Sequence, residues 1–322
     1  MSGLTRRTFL AASALGSAAL ARPAAAAAPE ARMQGPGAYR YKLGDYQLTA
    51  LYDGTWYVPI DDKFVHNATA AEVDGALTAA FLPPRILPVS FTALLVNTGS
   101  KLVLIDTGSA GQITDTAGVM LDNLKVAGVW PKDIDIILIS HFHPDHIDGI
   151  KTKDGGKVFT NAEIKVPEPE WSFWMDDANM DRYANNAVVH KYFLNARRIF
   201  SGIAGDVHRF KPGVEVAPGI MSIPAFGHTP GHTAFSVHSG SQSLLVMSDT
   251  AREPWLFVRH PQWQPSYDMD GPMAAKTRID MLERAAAERM PVEAYHFPFP
   301  ACGHIVKTTS GYDLAPAMWA PL

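Results

Sequence analysis

Apolar and polar positions alternate along residues 46–59 (YQLTALYDGTWYVP), the period-two pattern of a strand, which Asp53-Gly54 is expected to break with a turn. Residues 30–40 before it read as a loose, exposed lead-in. Residues 66–81 (HNATAAEVDGALTAAF) predict a short helix, stopped by Leu82-Pro83-Pro84-Arg85. The apolar runs Leu94–Val96 and Leu102–Ile105 flank Asn97-Thr98-Gly99 and predict a hairpin. Residues 116–129 have helical spacing, and residues 133–140 (DIDIILIS) have the aliphatic density of a strand covered on both faces. Residues 170–200 mix aromatic with polar positions and predict two helices, or a helix and a loop, forming a lid. Short strands follow around 207–210, 213–219, 220–225, 233–239 and 242–248. The clearest helix is 273–290, with Met273, Thr277, Met281 and Leu282 expected on its inner face, and 291–297 predicts a further strand. Two successive sets of strands and helices suggest sheet packed on sheet, with helices outside.

Composition narrows this picture. With 322 residues, 47% of them hydrophobic, the chain can bury a large core, and its one cysteine, Cys302, supplies neither a disulfide scaffold nor a thiolate metal cluster. A net charge of -4 gives no electrostatic reason to expect nucleic acid as a partner. The first 28 residues stand apart. Arg6-Arg7, then Phe9-Leu10, then an alanine-rich end resemble a bacterial twin-arginine export signal. That implies cleavage near Ala26–Ala28, a periplasmic or secreted destination, and a single mature domain over 29–322 without a stable membrane anchor.

The chemistry gathers where strands end. Directly after the apolar run 133–140 comes HFHPDH, residues 141–146. In an extended segment His141 and His143 share a face, and Pro144 turns the chain so that Asp145 and His146 reach the same cavity. Imidazole and carboxylate together suit borderline divalent metals. Further candidates sit in GHTPGH (His228 and His232), in MSDT (Asp249) and in AYHFPFPACGH (His296 and His304). Each alone is weak, because a lone histidine at a strand end is more often structural.

Together these elements, in this order, resemble the metallo-beta-lactamase superfamily, with the closest motif likeness to the methyl parathion hydrolase branch and related lactonases. The resemblance implies an α/β (α+β) chain folded as an αββα sandwich of two mixed sheets. It implies that His141, His143 and His228 hold one divalent ion, that Asp145, His146 and His296 hold a second, and that Asp249 bridges them. Asp106 (in LIDTG), Thr229 and His232 would support these ligands, and His232 and His304 would not be ligands themselves. Asp145 and Asp249 would carry the catalytic duty. Zinc is the first expectation for the pair, with manganese, cobalt or iron also compatible. The sequence departs from the family in having Asp148 where the first of two glycines often follows HPDH.

Two ions about 3.5–4 Å apart acidify a water held between them, so no serine nucleophile is required. The expected reaction is hydrolysis of a small neutral substrate: an aryl ester, a lactone or an organophosphate triester. Trp171, Phe173, Trp174, Tyr192 and Phe193 are expected to line its pocket. An acyl-homoserine lactonase is the leading alternative. A beta-lactamase fits less well, because Asp249 stands where some zinc beta-lactamases carry cysteine. A diiron oxidoreductase and a non-catalytic metal-binding module complete the alternatives. The family resemblance also implies a homodimer.

Overall fold

The computed structural model describes residues 34–320 and 322, so the stretch read as an export signal lies outside the described residues. Residues 36–322 form one compact unit. Its first sheet contains β1 (Ala38–Leu43), β2 (Tyr46–Pro59), β3 (Ile86–Asn97), β4 (Leu102–Ile105), β5 (Ile136–Leu138), β6 (Glu163–Pro167) and β7 (Val207–Phe210), adjacent in space as in sequence. Strands β1 to β4 pair antiparallel, and β4 to β7 pair parallel. The second sheet contains β8 (Glu215–Ala217), β9 (Ile220–Pro224), β10 (Thr233–Ser239), β11 (Gln242–Val246), β12 (Pro291–Glu293), β13 (Cys302–Lys307) and β14 (Tyr312–Pro316). All its pairings are antiparallel except β11 with β12. Seven α-helices flank the sheets among the described residues: α1 (Ala70–Ala79), α2 (Met120–Val126), α3 (Pro144–Ile147), α4 (Glu168–Met175), α5 (Asp177–Arg182), α6 (Ala187–Phe200) and α7 (Gly271–Ala287). This is the αββα sandwich.

The sheets meet through one buried cluster. Leu94, Val96 and Ile105 from the first pack with Phe235, Val237 and Val246 from the second. Burying each such side chain contributes about 1.5–3 kcal/mol. The outer face of the first sheet is covered by α2, α4 and α6, and that of the second by Met281, Leu282 and Ala285 of α7. Helix α1 starts at a capping box, in which Thr69 Oγ1 accepts from Glu72 N and the Glu72 carboxylate accepts from Thr69 N. Among the described residues no helix is long and apolar enough to cross a membrane.

Four local expectations change. Asp53-Gly54 is not a turn: β2 continues through it, and its register against β3 shifts between Tyr52 and Gly54. Gly54 takes φ +145, and a Cβ there would lie 2.3 Å from Ala117 Cα. The bulge turns Asp53 inward to accept from Ser109 N and Met120 N, each at a distance near 2.8–2.9 Å. The lead-in ends earlier than expected, because Ala38 already pairs with Leu51. On α7, Met273 is 47% exposed, and the inner face is Ala274, Ala275, Arg278, Met281, Leu282 and Ala285. Residues 168–200 form three helices, α4 to α6, rather than one or two.

Candidate metal centre

The protein's chemistry collects at one end of the sandwich, where the chain leaves β5, β9, β11 and β12. Past β5, Phe142 is fully buried in the outer core while His141 and His143 face the opposite way. This alternation is the one an extended segment imposes. Pro144 opens the short helix α3, which carries Asp145 and His146. His228 comes from the loop after β9, Asp249 from the end of β11, and His296 from just beyond β12.

These side chains form two groups able to hold a metal ion. In one, ligand atoms of His141, His143, His228 and Asp249 lie within 4.8 Å of one another; in the other, those of Asp145, His146 and His296 do. Asp249 links the groups, with Oδ1 3.2 Å from His146 Nε2 and Oδ2 3.0 Å from His296 Nε2 and 3.2 Å from His228 Nε2.

Hydrogen bonds behind the rings fix which nitrogens offer lone pairs. His146 Nδ1 donates to Asp106 Oδ2 at 2.8 Å, His228 Nδ1 to Asp268 Oδ1 at 2.9 Å, and His296 Nδ1 to the Ser90 carbonyl at 2.8 Å. Each Nε2 is therefore left with its lone pair facing the centre. Ser140 Oγ donates to Asp106 Oδ2, so His141 Nδ1 donates to Ser140 Oγ at 3.0 Å, and His141 Nε2 joins them. The Nε2 atoms of His141 and His228 each lie 3.0 Å from His143 Nδ1. His146 Nε2 and Asp249 Oδ1 are buried 3.2 Å apart, and neither makes a hydrogen bond. Lone pairs aimed at one another in a buried space repel unless protons or cations lie between them. An all-nitrogen-and-oxygen donor set of this kind fits two borderline divalent ions.

Protonation agrees. Burial and neighbouring imidazoles push His141 and His143 well below the usual histidine range, keeping them neutral. Burial alone would raise Asp249, but His296, His146 and Arg252 hold it well below the usual carboxylate range. Burial would lower His146, and the carboxylates of Asp249, Asp145 and Asp106 pull it up instead.

The expected supporting residues take three different parts. Asp106, at φ +60, accepts from Ser140 N and Ser140 Oγ as well as from His146. His232 is not in either ligand group: its Nδ1 donates to the Ala225 carbonyl and its Nε2 accepts from Asp249 N, so it sets the backbone that carries Asp249. Burial lowers its pKa to about 3, which keeps that acceptor free. Thr229 reaches no ligand ring and donates to Glu170 Oε2 at 2.8 Å. His304 is exposed on β13, outside both groups.

Sequence reading missed three positions. Glu170 is fully buried and accepts from Phe142 N, Trp174 Nε1, Thr229 Oγ1 and Gly231 N, tying the 141–146 segment to the GHTPGH loop. Burial raises its pKa despite those bonds. Asp268 orients His228 and is itself held by Arg278 Nη2 at 2.8 Å. Arg252 donates to Asp249 Oδ2 at 2.6 Å. Glu170 and Arg252 had a signal, since each is a charged residue beside an apolar segment or a ligand; Asp268 lies in irregular chain with none.

Asp148 is buried and accepts from Asn195 Nδ2 at 2.7 Å, so the side chain absent from the family's glycine is anchored to α6. Burial pushes its pKa up to about 7. The following glycine has no such freedom, because a Cβ on Gly149 would lie 1.8 Å from the Thr107 carbonyl oxygen. Gly149→Ala is expected to lower stability by at least about 1–3 kcal/mol through overpacking. Urea unfolding measures it, and an unchanged midpoint would refute the contact.

A cavity of about 520 Å³ opens over His143 and Asp145. Of the five aromatics expected to line it, Tyr192 does, with its ring 4.8 Å from that of His143. Trp171, Phe173, Trp174 and Phe193 pack instead into the core behind it, and Trp174 and Phe193 are fully buried. The wall is drawn by Trp56, Phe91, Val189, Tyr192, Tyr267 and Met269. Tyr192 and Val189 belong to α6, so part of the 170–200 segment does cover the site.

The chain belongs to the metallo-beta-lactamase superfamily, whose model matches residues 88–291. The cluster and this membership define a metal-dependent hydrolase of ester-like substrates. An N-acyl homoserine lactonase of Bacillus thuringiensis is 24% identical over 200 residues, 55% of this chain and 71% of the relative. Among solved structures, the hydrolase AbOPH of the beta lactamase superfamily is 29% identical with a TM-score of 0.84, covering 90% of this chain and 100% of that one. AidC, a dizinc quorum-quenching lactonase in complex with the product N-hexanoyl-L-homoserine, is 27% identical with a TM-score of 0.83, covering 88% of this chain and 99% of that one.

Proposed function

We propose that the protein hydrolyses neutral lactones or carboxylic esters carrying an apolar acyl or aryl group. The observation that carries this reading is the cavity itself: apolar walls end at His143 and Asp145, on the rim of both ligand groups. An apolar chain gains about 0.8 kcal/mol per buried methylene against such walls, and the cavity is large enough for a small ligand. The lactonase relatives, one of them solved with a homoserine product, support an acyl-lactone over an organophosphate triester.

In this reading His141, His143 and His228 would hold one ion, Asp145, His146 and His296 the other, and Asp249 both. Bound there, the pair would supply Lewis acidity to the scissile carbonyl and a nucleophile from water at neutral pH. Zinc is favoured by the donor set and by the dizinc relative. The chain's own groups do the rest. Asp106, Asp268 and the Ser90 carbonyl keep three rings in the ligand tautomer. Tyr295 donates to the Asp145 carbonyl at 2.6 Å and fixes the α3 backbone. Phe91, Tyr192 and Met269 exclude water from the acyl chain.

Metal analysis of purified protein, paired with a panel of an acyl-homoserine lactone, an aryl ester and a phosphotriester, tests the proposal. Two ions per chain are expected, with lactone or ester turnover abolished by chelation and restored by zinc. Turnover that survives complete metal removal would end the proposal, and a phosphotriester preferred over both acyl substrates would overturn the substrate assignment.

A further inference from the structure

Arg252 is a buried cation on the wall of the catalytic cavity, and the fold does not use it up. The residue is 5% exposed and lines the cavity together with Tyr267. Its Nη1 donates to Asp249 Oδ2 at 2.6 Å and its Nη2 to Glu253 Oε1 at 3.3 Å. A guanidinium carries more N–H donors than those two bonds use, and Nε, buried, has no partner. Tyr267 stacks its ring beneath the guanidinium, 4.5 Å from centroid to Cζ, and its buried hydroxyl is likewise without a partner. An arginine serving only to orient Asp249 would be expected to have its remaining donors satisfied, because each buried donor left bare costs about 1–3 kcal/mol. The segment that follows, Pro254–Val258, is a π-helical turn, a form that recurs at functional sites.

We propose that Arg252 and Tyr267 form a carboxylate-binding corner of the active site, one that takes the acid group released by hydrolysis. The proposal rests on the lactone or ester reading, because only acyl substrates yield a carboxylate at this position. The planar fork of a guanidinium matches the two oxygens of a carboxylate, and the Tyr267 hydroxyl adds a third donor. The other charged groups on the wall, Asp145 and Asp268, are acidic and would repel that group, so the corner also gives the product an orientation. The acid is thereby held at the edge of the cavity where the guanidinium offsets the charge of Asp249 and Glu253, rather than along the apolar wall.

The test is calorimetric titration of the metal-loaded protein with hexanoate, alongside competitive inhibition by the same acid. Arg252→Met is expected to weaken hexanoate about ten- to hundredfold with both ions retained, and Tyr267→Phe several-fold. Arg252→Lys keeps the charge but loses the fork, and is expected to fall between the parent and Arg252→Met. Unchanged hexanoate affinity in metal-loaded Arg252→Met overturns the proposal. Should Arg252→Met lose an ion, the other two variants decide in its place: weakened binding with metals intact supports the corner, and parent-like binding refutes it. Hexanoate binding that falls as expected in a protein hydrolysing no ester or lactone would sink the function reading and leave the corner standing.

Discussion

Asp249→Ala protein, purified from metal-supplemented culture, is expected to hold no more than one tightly bound ion per chain and to lose activity by more than about a hundredfold. The magnitude follows from a comparison: losing a group that merely orients a ligand histidine costs roughly 10–100-fold in metal affinity or activity, and Asp249 is a ligand reaching both groups. Its carboxylate stands 3.0 Å from His296 Nε2 and 3.2 Å from His146 Nε2 and from His228 Nε2. Without it, rings brought in by separate loops face one another with no shared anion, and Arg252 loses its shortest hydrogen bond. Elemental analysis gives the ion count, and turnover of the preferred ester gives the rate. A variant with two ions and parental turnover would show that Asp249 does not join the groups.

Asp268→Ala should do two separable kinds of damage. The carboxylate accepts a hydrogen bond from His228 Nδ1 and also faces Arg278, which is 1% exposed and donates to the carbonyls of Thr250, Pro261 and Trp263. Burial by itself would raise the pKa of Asp268, but the bond from His228 and the charge of Arg278 hold it below the usual carboxylate range. Removing it leaves a buried guanidinium without its counter-charge, a change that costs roughly 3–5 kcal/mol. Urea unfolding of the chelated protein reads that loss free of any metal contribution. Metal affinity, measured by competition with a chelating dye, is expected to fall a further 10–100-fold or so through the freed His228 ring. If the chelated variant unfolds at the parental midpoint, the Asp268–Arg278 pair carries no weight in the fold.

The sequence revealed what is local. HFHPDH is legible because adjacent residues on one extended segment must alternate faces, and Phe142 does go into the core while its two neighbours face the centre. The hairpin at Asn97–Gly99 follows from two apolar runs and a turn-forming tripeptide, and the structure pairs Leu94 with Ile105 across it. Distant relations were not legible. Asp268 meets His228 on one side and Arg278 of α7 on the other, and no periodicity marks that meeting. Asp53-Gly54 has the composition of a turn, yet β3 offers a partner on both sides of it, and pairing wins over local preference. The aromatics of 171–193 suggest a pocket in sequence because their order along the chain cannot distinguish a wall from the core behind it. The bond from Trp174 Nε1 to Glu170 turns that ring inward, while Tyr192, two helices later, is left over His143.

The four ligands of residues 141–146 come with the first sheet, whereas His228, Asp249 and His296 follow β9, β11 and β12 of the second. A ribosome therefore releases half of each ion's cage long before the other half exists. A chain interrupted ahead of β12 lacks His296 and cannot complete the second cage, however well its first sheet has formed. Both ions can therefore be held only by molecules translated and folded through the second sheet.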